Sequence, residues 1–218
     1  MAAVTPPQPR KRLTSAERRE HFLDMAAEIV AEQGVSALTM EGVAARAGVN
    51  KALGYRYFAN SDALLVALFE RETEAFDLRI DEAIEPCRTL DEQLRVIVDI
   101  YMDSVSEGAL IRTLEQPKRD IIAFEERRIA REHRGVERLA NLLRSHYRLP
   151  RKTATTAAAV LATGMQGLIG VWLTMGWSRS ELVDRYVTMA IGAMEALEPT
   201  LEDASLPPAK SKKRRSAG

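Results

Sequence analysis

The sequence predicts an all-α protein. No run of alternating apolar and polar residues is long enough to predict a strand, whereas apolar residues recur every three or four positions along most of the chain, as they do on one face of a helix. The nine prolines fall between these periodic segments, where a proline can end a helix without breaking it. We therefore expect about nine helices, with a small N-terminal unit of three helices followed by a larger helical body.

The predicted helices begin and end at recognisable signals. The first carries an apolar stripe that includes Phe22, Ala26 and Ile29 and ends at Gln33-Gly34, where glycine is typical after a helix C-terminus. Three polar side chains can each accept a hydrogen bond from the first turn of the next helix. Thr39 is expected to open a helix that runs through residue 47, and Asn50 to open one that runs to about residue 58. Asn60 is expected to cap a helix from residue 61 to about 84. Later helices are expected at about 89–107, 109–116, 118–147, 151–176 and 179–197.

Composition points to the cytoplasm and away from a membrane. Cys87 is the only cysteine, so an internal disulfide is impossible and a reducing compartment is expected. The N-terminus lacks the apolar stretch of a signal peptide. Residues 154–175 are apolar enough to raise the question of a membrane span, but four threonines, three glycines and Gln166 interrupt them. We expect a helix of a soluble protein and no membrane partner.

Residues 39–58 predict a helix-turn-helix. Two short helices join through Ala47-Gly48-Val49, and glycine adopts the positive φ of such a turn at little cost. The small apolar residues Val43 and Ala44 let the two helices cross closely. In this motif the second helix enters the major groove of DNA and the first crosses the backbone.

The same segment resembles the tetracycline-repressor (TetR) family. The matching features are Thr39, Val43-Ala44, Ala47-Gly48-Val49, the ending Tyr55-x-Tyr57-Phe58, and Asp62 with Leu64-Leu65. The strong resemblance covers residues 20–68. It implies a ligand-responsive repressor that binds a palindromic operator in double-stranded DNA as a homodimer.

Three positions depart from the family pattern. Gly54 stands where an aliphatic residue usually packs inward, Leu53 where a small hydroxyl residue is common, and Ser61 where a lysine often meets a phosphate. Gly54 and Ser61 favour an alternative function, a helical small-molecule sensor or protein-interaction module with weakened DNA binding.

The resemblance also implies which residues face DNA: Thr39, Lys51, Ala52, Leu53, Tyr55 and Tyr57. Lys51 can donate to guanine or to a phosphate, and the apolar tips of Ala52 and Leu53 suit a thymine methyl group. The basic arm Arg10-Lys11-Arg12 can reach an adjacent minor groove. The alternatives are a solvated lysine, tyrosines that pack in the core of the small unit, and an arm without contacts.

The helical body is expected to bind an unidentified hydrophobic or amphipathic effector. The candidate lining residues are apolar and adaptable, as such a ligand requires. They are Tyr101, Met102, Val105, Phe124, Met165, Leu168, Ile169 and Trp172. Ordinary core packing is the alternative for each of them.

The last two long helices are expected to form a dimer interface. Gly164, Gly167 and Gly170 recur every three residues and give one helix a smooth face that another backbone can approach. Two such helices from each copy would build a four-helix interface. The remaining interface candidates are Val171, Tyr186, Met189, Ala190, Ala193, Met194 and Leu197. An intramolecular core helix without a dimer role is the alternative.

The predicted domains follow from these motifs and from the basic residues at both ends of the chain. We expect a flexible basic arm at 1–13, the helix-turn-helix domain at 14–60, a ligand-binding and dimerisation domain at 61–198, and a disordered basic tail at 199–218.

No enzymatic activity, cofactor or metal is expected. The sequence has no Glu-x-x-His, Cys-x-x-Cys, P-loop or Gly-x-Ser-x-Gly pattern, which are the patterns of di-iron, redox, nucleotide and hydrolase sites.

Overall fold

The computed structural model describes residues 13–106, 110–114 and 122–198. All the regular structure in these ranges is helical, which confirms the predicted fold class. The helices are α1 Ser15–Gln33, α2 Met40–Arg46, α3 Lys51–Gly54, α4 Ser61–Ile84, α5 Leu90–Ser106, α6 Leu110–Leu114, α7 Ile122–His146, α8 Arg151–Met175 and α9 Arg179–Leu197. The predicted arm at 10–12 and the tail at 199–218 lie outside the described residues.

The helix caps predicted from the sequence are confirmed. The side-chain oxygens of Thr39, Asn50 and Asn60 each accept a hydrogen bond from a backbone N–H in the first turn of α2, α3 and α4, at 3.1, 2.9 and 2.8 Å. Gly34, with a φ of 82°, follows the last residue of α1. These bonds satisfy N–H groups that the helices themselves leave unpaired.

The prediction for the second helix of the motif is wrong in its length. We expected a helix to about Phe58, but α3 ends at Gly54. Beyond it, the N–H of Arg56 donates to the carbonyl of Leu53 at 3.2 Å and that of Tyr57 to the carbonyl of Gly54 at 3.0 Å. These three-residue spacings tighten the final turn. Gly54 stands where the helix ends, and glycine is less favourable in a helix than alanine by about 1 kcal/mol.

The contacts divide the chain into two compact units. Unit 1 comprises Met1–Glu82 and Ile100–Glu132, and unit 2 comprises Ala83–Asp99 and His133–Gly218. Helices α5 and α7 contribute to both units, so no single residue separates them. The domain boundaries predicted from the sequence therefore stay predictions.

Unit 1 is built around aromatic side chains. The Phe22 ring is buried between α1 and the helix-turn-helix, with the ring of Phe58 at 6.4 Å. In its second aromatic cluster, the Phe69 ring of α4 lies 4.7 Å from that of Phe124 in α7. Helix α6 packs against α1 in the same unit. Burial of such rings supplies the main stabilisation of a unit this small.

Unit 2 is built around the packing of α8 against α9. Tyr186 of α9 donates from its hydroxyl to the carbonyl of Leu161 in α8 at 2.6 Å. Arg179, at the start of α9, is paired with the carboxylate of Asp99 in α5 at 2.8 Å. Among the described ranges, α8 is the one helix long and apolar enough to cross a membrane by length and composition alone, with a mean hydropathy of 1.5.

Candidate nucleic-acid interface

The turn between α2 and α3 has the geometry that a helix-turn-helix requires. Gly48 has a φ of 66°, in the left-handed region that favours glycine. The N–H of Val49 donates to the carbonyl of Ala44 at 3.0 Å, which closes the turn. Val43 and Ala44 are buried, so α2 is held against the rest of unit 1 and α3 follows at a fixed angle.

Helix α3 and its final turn expose one side and bury the other. Lys51, Ala52 and Tyr55 are exposed, as predicted for residues that face DNA, and Thr39 is exposed at the start of α2. Phe58, by contrast, is buried in the core of unit 1. The structure therefore brings most of the predicted DNA-facing residues onto one accessible surface.

Leu53 and Tyr57 lie at the border of that surface. Both are half-buried, and the Tyr57 ring lies 5.8 Å from the ring of Phe22. Packing in the small unit, which is the alternative role for the tyrosines, thus accounts for the ring of Tyr57 and not for that of Tyr55.

The structure explains how the chain accommodates a glycine at position 54. A Cβ added to Gly54 would lie 3.0 Å from Cε of Met40 and 3.5 Å from the ring of Phe22. Met40 is 3% exposed. The methionine of α2 therefore fills the space that an aliphatic side chain at position 54 would otherwise occupy, and α3 is anchored without one.

Lys51 has a partner within the protein. Its ammonium group is paired with the carboxylate of Glu41 in the first turn of α2, and it lies 5.4 Å from the centre of the Tyr55 ring. The hydrogen bond between the two side chains raises the pKa of Lys51 and lowers that of Glu41. Both side chains stay about half exposed, so DNA can reach the lysine.

Arg56 is a candidate contact that the sequence reasoning missed. It is exposed beside Tyr55 in the final turn, and within the described ranges its guanidinium has no ion pair. By contrast, Arg46 of α2 is held by Glu32 at 2.6 Å and by Glu28 at 3.6 Å. The signal was available in the sequence, because Arg56 is the variable residue inside the Tyr55-x-Tyr57 pattern.

The predicted effector-lining residues fall in both units. Tyr101, Met102, Val105 and Phe124 belong to unit 1, and Met165, Leu168, Ile169 and Trp172 belong to unit 2. In unit 1 the Tyr101 ring meets that of Phe76 edge-on at 5.0 Å, and Phe124 packs on Phe69. Core packing accounts for these two rings, and the effector site stays a prediction.

Three of the predicted dimer contacts need correction. Tyr186, Ala190 and Met194 are buried inside a single copy of the chain, because they form the side of α9 that packs within unit 2. Met189, Ala193 and Leu197 lie on the exposed side of α9. On α8, Val171 is half-buried and the three glycines are exposed; a Cβ would meet nothing within 4 Å at Gly167 or Gly170.

The chain is similar to known bacterial regulators in this region. Residues 22–68 match the family model described as bacterial regulatory proteins, tetR family. The chain is 29% identical over 98 residues to the HTH-type transcriptional activator FasR of Mycolicibacterium smegmatis, covering 45% of each chain. It is 32% identical over 77 residues to the fatty acid metabolism regulator protein of Bacillus subtilis, covering 35% of this chain and 40% of that protein. The matches thus span less than half the length of these relatives.

The similarity in fold extends much further than the similarity in sequence. A TetR-like transcriptional regulator from Rhodococcus superimposes with a TM-score of 0.61 at 21% identity, covering 84% of this chain and 99% of that one. Residues 22–68 of the chain are therefore similar to the tetR family of bacterial regulatory proteins, and the described residues have the fold of a TetR-like regulator.

Proposed function

We propose that the protein is a cytoplasmic transcriptional regulator that binds a palindromic operator as a homodimer through residues 39–58. One observation carries this proposal: α3 and its final turn expose Lys51, Tyr55 and Arg56, while Gly54 and Phe58 fix the opposite side to unit 1. A short helix with one anchored side and one cationic, hydroxyl-bearing side suits the major groove and its flanking phosphates.

Selection of bound sequences from a random pool of duplexes tests the proposal. We expect a palindrome, because the two identical helix-turn-helix motifs of a homodimer read two half-sites. Gel shifts of the selected duplex over a range of salt should then give an affinity that falls steeply as salt rises. A protein without preference for any duplex at low salt would refute DNA-binding regulation.

Arg56→Gln tests the interface itself. If Arg56 neutralises a phosphate, the substitution should weaken binding to all duplexes and lower the slope of log affinity against log salt by about 0.9 for each phosphate that is no longer neutralised. Arg144→Gln is the matched control, since Arg144 is an exposed arginine of α7 in the other unit. Equal effects of the two substitutions would place the duplex away from α3.

We propose that α8 and α9 form the dimer interface. Val160 and Met189 are each 65% exposed and Leu197 is 43% exposed, which is a high exposure for apolar side chains on adjacent helices. Val160 and Leu197 also line an apolar groove of about 440 Å³ between these helices. A second copy that covers this side would bury it, as in other helical dimers.

Met189→Glu should convert the dimer to a monomer, because a charge at the interface would lose its hydration on association. Sedimentation velocity measures the change. Leu78→Glu is the matched control, since Leu78 is a similarly exposed apolar residue (58%) on α4. Dissociation by the control alone, or by neither substitution, would contradict this assignment of the interface.

We further propose an amphipathic effector that releases the protein from its operator. The lining residues predicted from the sequence are apolar, and one relative is named for the regulation of fatty acid metabolism. Straight-chain fatty acids of increasing length are therefore the first probes. A rise in melting temperature together with loss of the gel shift would support the proposal, and the absence of both along the series would exclude this ligand class.

The alternative is a helical sensor or interaction module with weakened DNA binding. Gly54 and Ser61 favoured it in the sequence. The Met40 side chain supplies the packing under α3 that the glycine omits. Gly54 therefore no longer favours weakened DNA binding. The salt-dependent gel shift separates the two functions.

A further inference from the structure

Among the described residues, one threonine and one serine are buried, and both belong to unit 1. Thr73 of α4 is 2% exposed and Ser104 of α5 is 1% exposed. The Ser104 hydroxyl donates to the carbonyl of Tyr101 at 2.7 Å. The Thr73 hydroxyl has no hydrogen-bond partner within the described ranges. A buried hydroxyl without a partner destabilises the folded protein, so Thr73 stands where a valine would give a more stable core.

Thr73 lies within the aromatic side of α4. Phe69 and Phe76, one turn before and one turn after it, are also buried, so the three side chains share one face of the helix. The Phe69 ring contacts that of Phe124 in α7 at 4.7 Å, and the Phe76 ring contacts that of Tyr101 in α5 at 5.0 Å. The hydroxyl of Thr73 is therefore flanked on its own helix by rings that pack against two other helices.

These surroundings favour an amphipathic ligand over a water molecule as the partner of the Thr73 hydroxyl. A buried water typically makes about three hydrogen bonds, whereas the Ser104 hydroxyl is already bonded to a carbonyl and the neighbours of Thr73 on its helix face are rings. A ligand with an apolar body suits the rings and brings one polar group for the hydroxyl. Tyr101 and Val105 are half-buried, so the cluster reaches the surface along α5.

A positive charge borders the same cluster. The guanidinium carbon of Arg131 in α7 lies 5.7 Å from the centre of the Phe76 ring. A hydroxyl can donate a hydrogen bond, and a nearby cation favours negative charge on the group that accepts it. A carboxylate meets both conditions.

We propose that Thr73 is a polar contact of the effector site, whose hydroxyl donates a hydrogen bond to the carboxylate of an amphipathic monocarboxylic acid. The aromatic cluster around Thr73 covers the hydrocarbon part of this ligand. The inference rests on the part of the proposed function that concerns the effector, and it is independent of DNA binding.

Thr73→Val tests the inference, because valine keeps the shape of threonine and lacks the hydroxyl. The probe is the straight-chain fatty acid that raises the melting temperature of the wild type most. We expect the affinity for this acid, measured by isothermal titration calorimetry, to fall about tenfold, as for the loss of a hydrogen bond to a charged group. The urea midpoint of the ligand-free variant should stay equal to that of the wild type or rise, because no hydrogen bond within the protein is lost.

Two control variants separate this contact from a general role in the core. Ser104→Ala removes an equally buried hydroxyl from unit 1, but one that already has a partner. It should lower the urea midpoint and leave the affinity for the fatty acid unchanged within about twofold. Thr73→Ser keeps the hydroxyl and should also retain the affinity, even if the lost methyl group lowers the midpoint.

The methyl ester of the same fatty acid tests the carboxylate. It keeps the hydrocarbon chain and replaces the charged acceptor by a neutral carbonyl, which forms a weaker hydrogen bond. Thr73→Val should therefore weaken binding of the ester less than binding of the acid. An equal loss for both ligands would overturn the assignment of a carboxylate.

The remaining outcomes are distinct. Equal affinity of wild type and Thr73→Val for the acid would overturn the inference. So would a lower urea midpoint of Thr73→Val, since it would show that the hydroxyl has a partner in the ligand-free protein. If no fatty acid binds the wild type, the proposed effector fails and the inference fails with it. If the protein binds no duplex but Thr73→Val weakens binding of the acid, DNA-binding regulation is refuted and the inference stands.

Discussion

Replacing Gly54 by leucine tests how the space beneath α3 is filled. The Cβ of any side chain at this position begins 3.0 Å from Met40 Cε, whereas ordinary contacts lie at 3.4–4 Å. Met40 is 3% exposed and Phe22 is fully buried, so neither side chain can move aside into solvent. Overpacking of this kind costs about 1–3 kcal/mol, while replacing glycine in a helix contributes about 1 kcal/mol in return. We expect Gly54→Leu to lower the free energy of unfolding by up to about 2 kcal/mol.

The space can also be opened from the other side. Met40→Ala alone should cost about 2–5 kcal/mol, because it leaves a cavity under α3. In the double variant, the leucine side chain enters the space that the methionine leaves. We expect the double variant to be more stable than the sum of the single effects by at least about 1 kcal/mol, within the usual coupling of residues in contact.

Urea unfolding followed by circular dichroism measures all three variants. Gly135→Leu is the matched control, because a Cβ at this α7 glycine meets nothing within 4 Å. It should stabilise the protein by about 0.5–1 kcal/mol through helix propensity alone. Additive effects of the Met40 and Gly54 substitutions would refute the idea that the two residues share one space.

Three further predictions concern single contacts. Thr39→Ala removes the cap of α2 and should lower the free energy of unfolding by about 1 kcal/mol; Thr39→Ser, which keeps the hydroxyl, should not, and equal decreases would contradict the capping role. Tyr186→Phe removes the 2.6 Å hydrogen bond to the carbonyl of Leu161 and should cost about 1 kcal/mol in urea unfolding, so an unchanged midpoint would show that the bond adds nothing. Glu92 accepts hydrogen bonds from the backbone N–H groups of residues 88 and 89, which lower its pKa from the ordinary 4.5. Because its folded pKa is the lower one, its contribution is complete above pH 4.5 and is lost as the pH falls through the folded value. The melting temperatures of wild type and Glu92→Gln should therefore converge below pH 4.5, and a constant difference would contradict this account.

Features that depend on neighbouring residues could be predicted from the sequence. The three caps at Thr39, Asn50 and Asn60 and the turn at Gly48 involve hydrogen bonds or backbone angles within a few residues of the chain. Short sequence patterns therefore predict these caps and this turn. The exposure of Tyr55 and Lys51 followed from the same motif.

Features that depend on which side of a helix is covered could not be predicted. Along α9, apolar residues occur on both sides, so Tyr186 and Met189, three positions apart, satisfy the same periodic pattern. The structure buries Tyr186 and exposes Met189, because only packing against α8 decides between them. The pairing of Lys51 with Glu41, ten residues apart, was hidden for the same reason, since it depends on the angle between α2 and α3.

Under the proposed function, the pairing of cations also determines how a protein with a net charge of zero binds DNA. Arg46 is held by Glu32 and Glu28, and Arg71 by Asp24 at 2.7 Å, so the charges of these two arginines of unit 1 are neutralised at short range. Lys51 is shared with Glu41, and Arg56 keeps its full charge on the surface. Cations that are paired in this way add little long-range field to draw the described part of the helix-turn-helix onto any duplex. Its affinity must then come from a few local interactions, which makes the salt slope of each single-residue variant a direct measure of the phosphates that the residue neutralises.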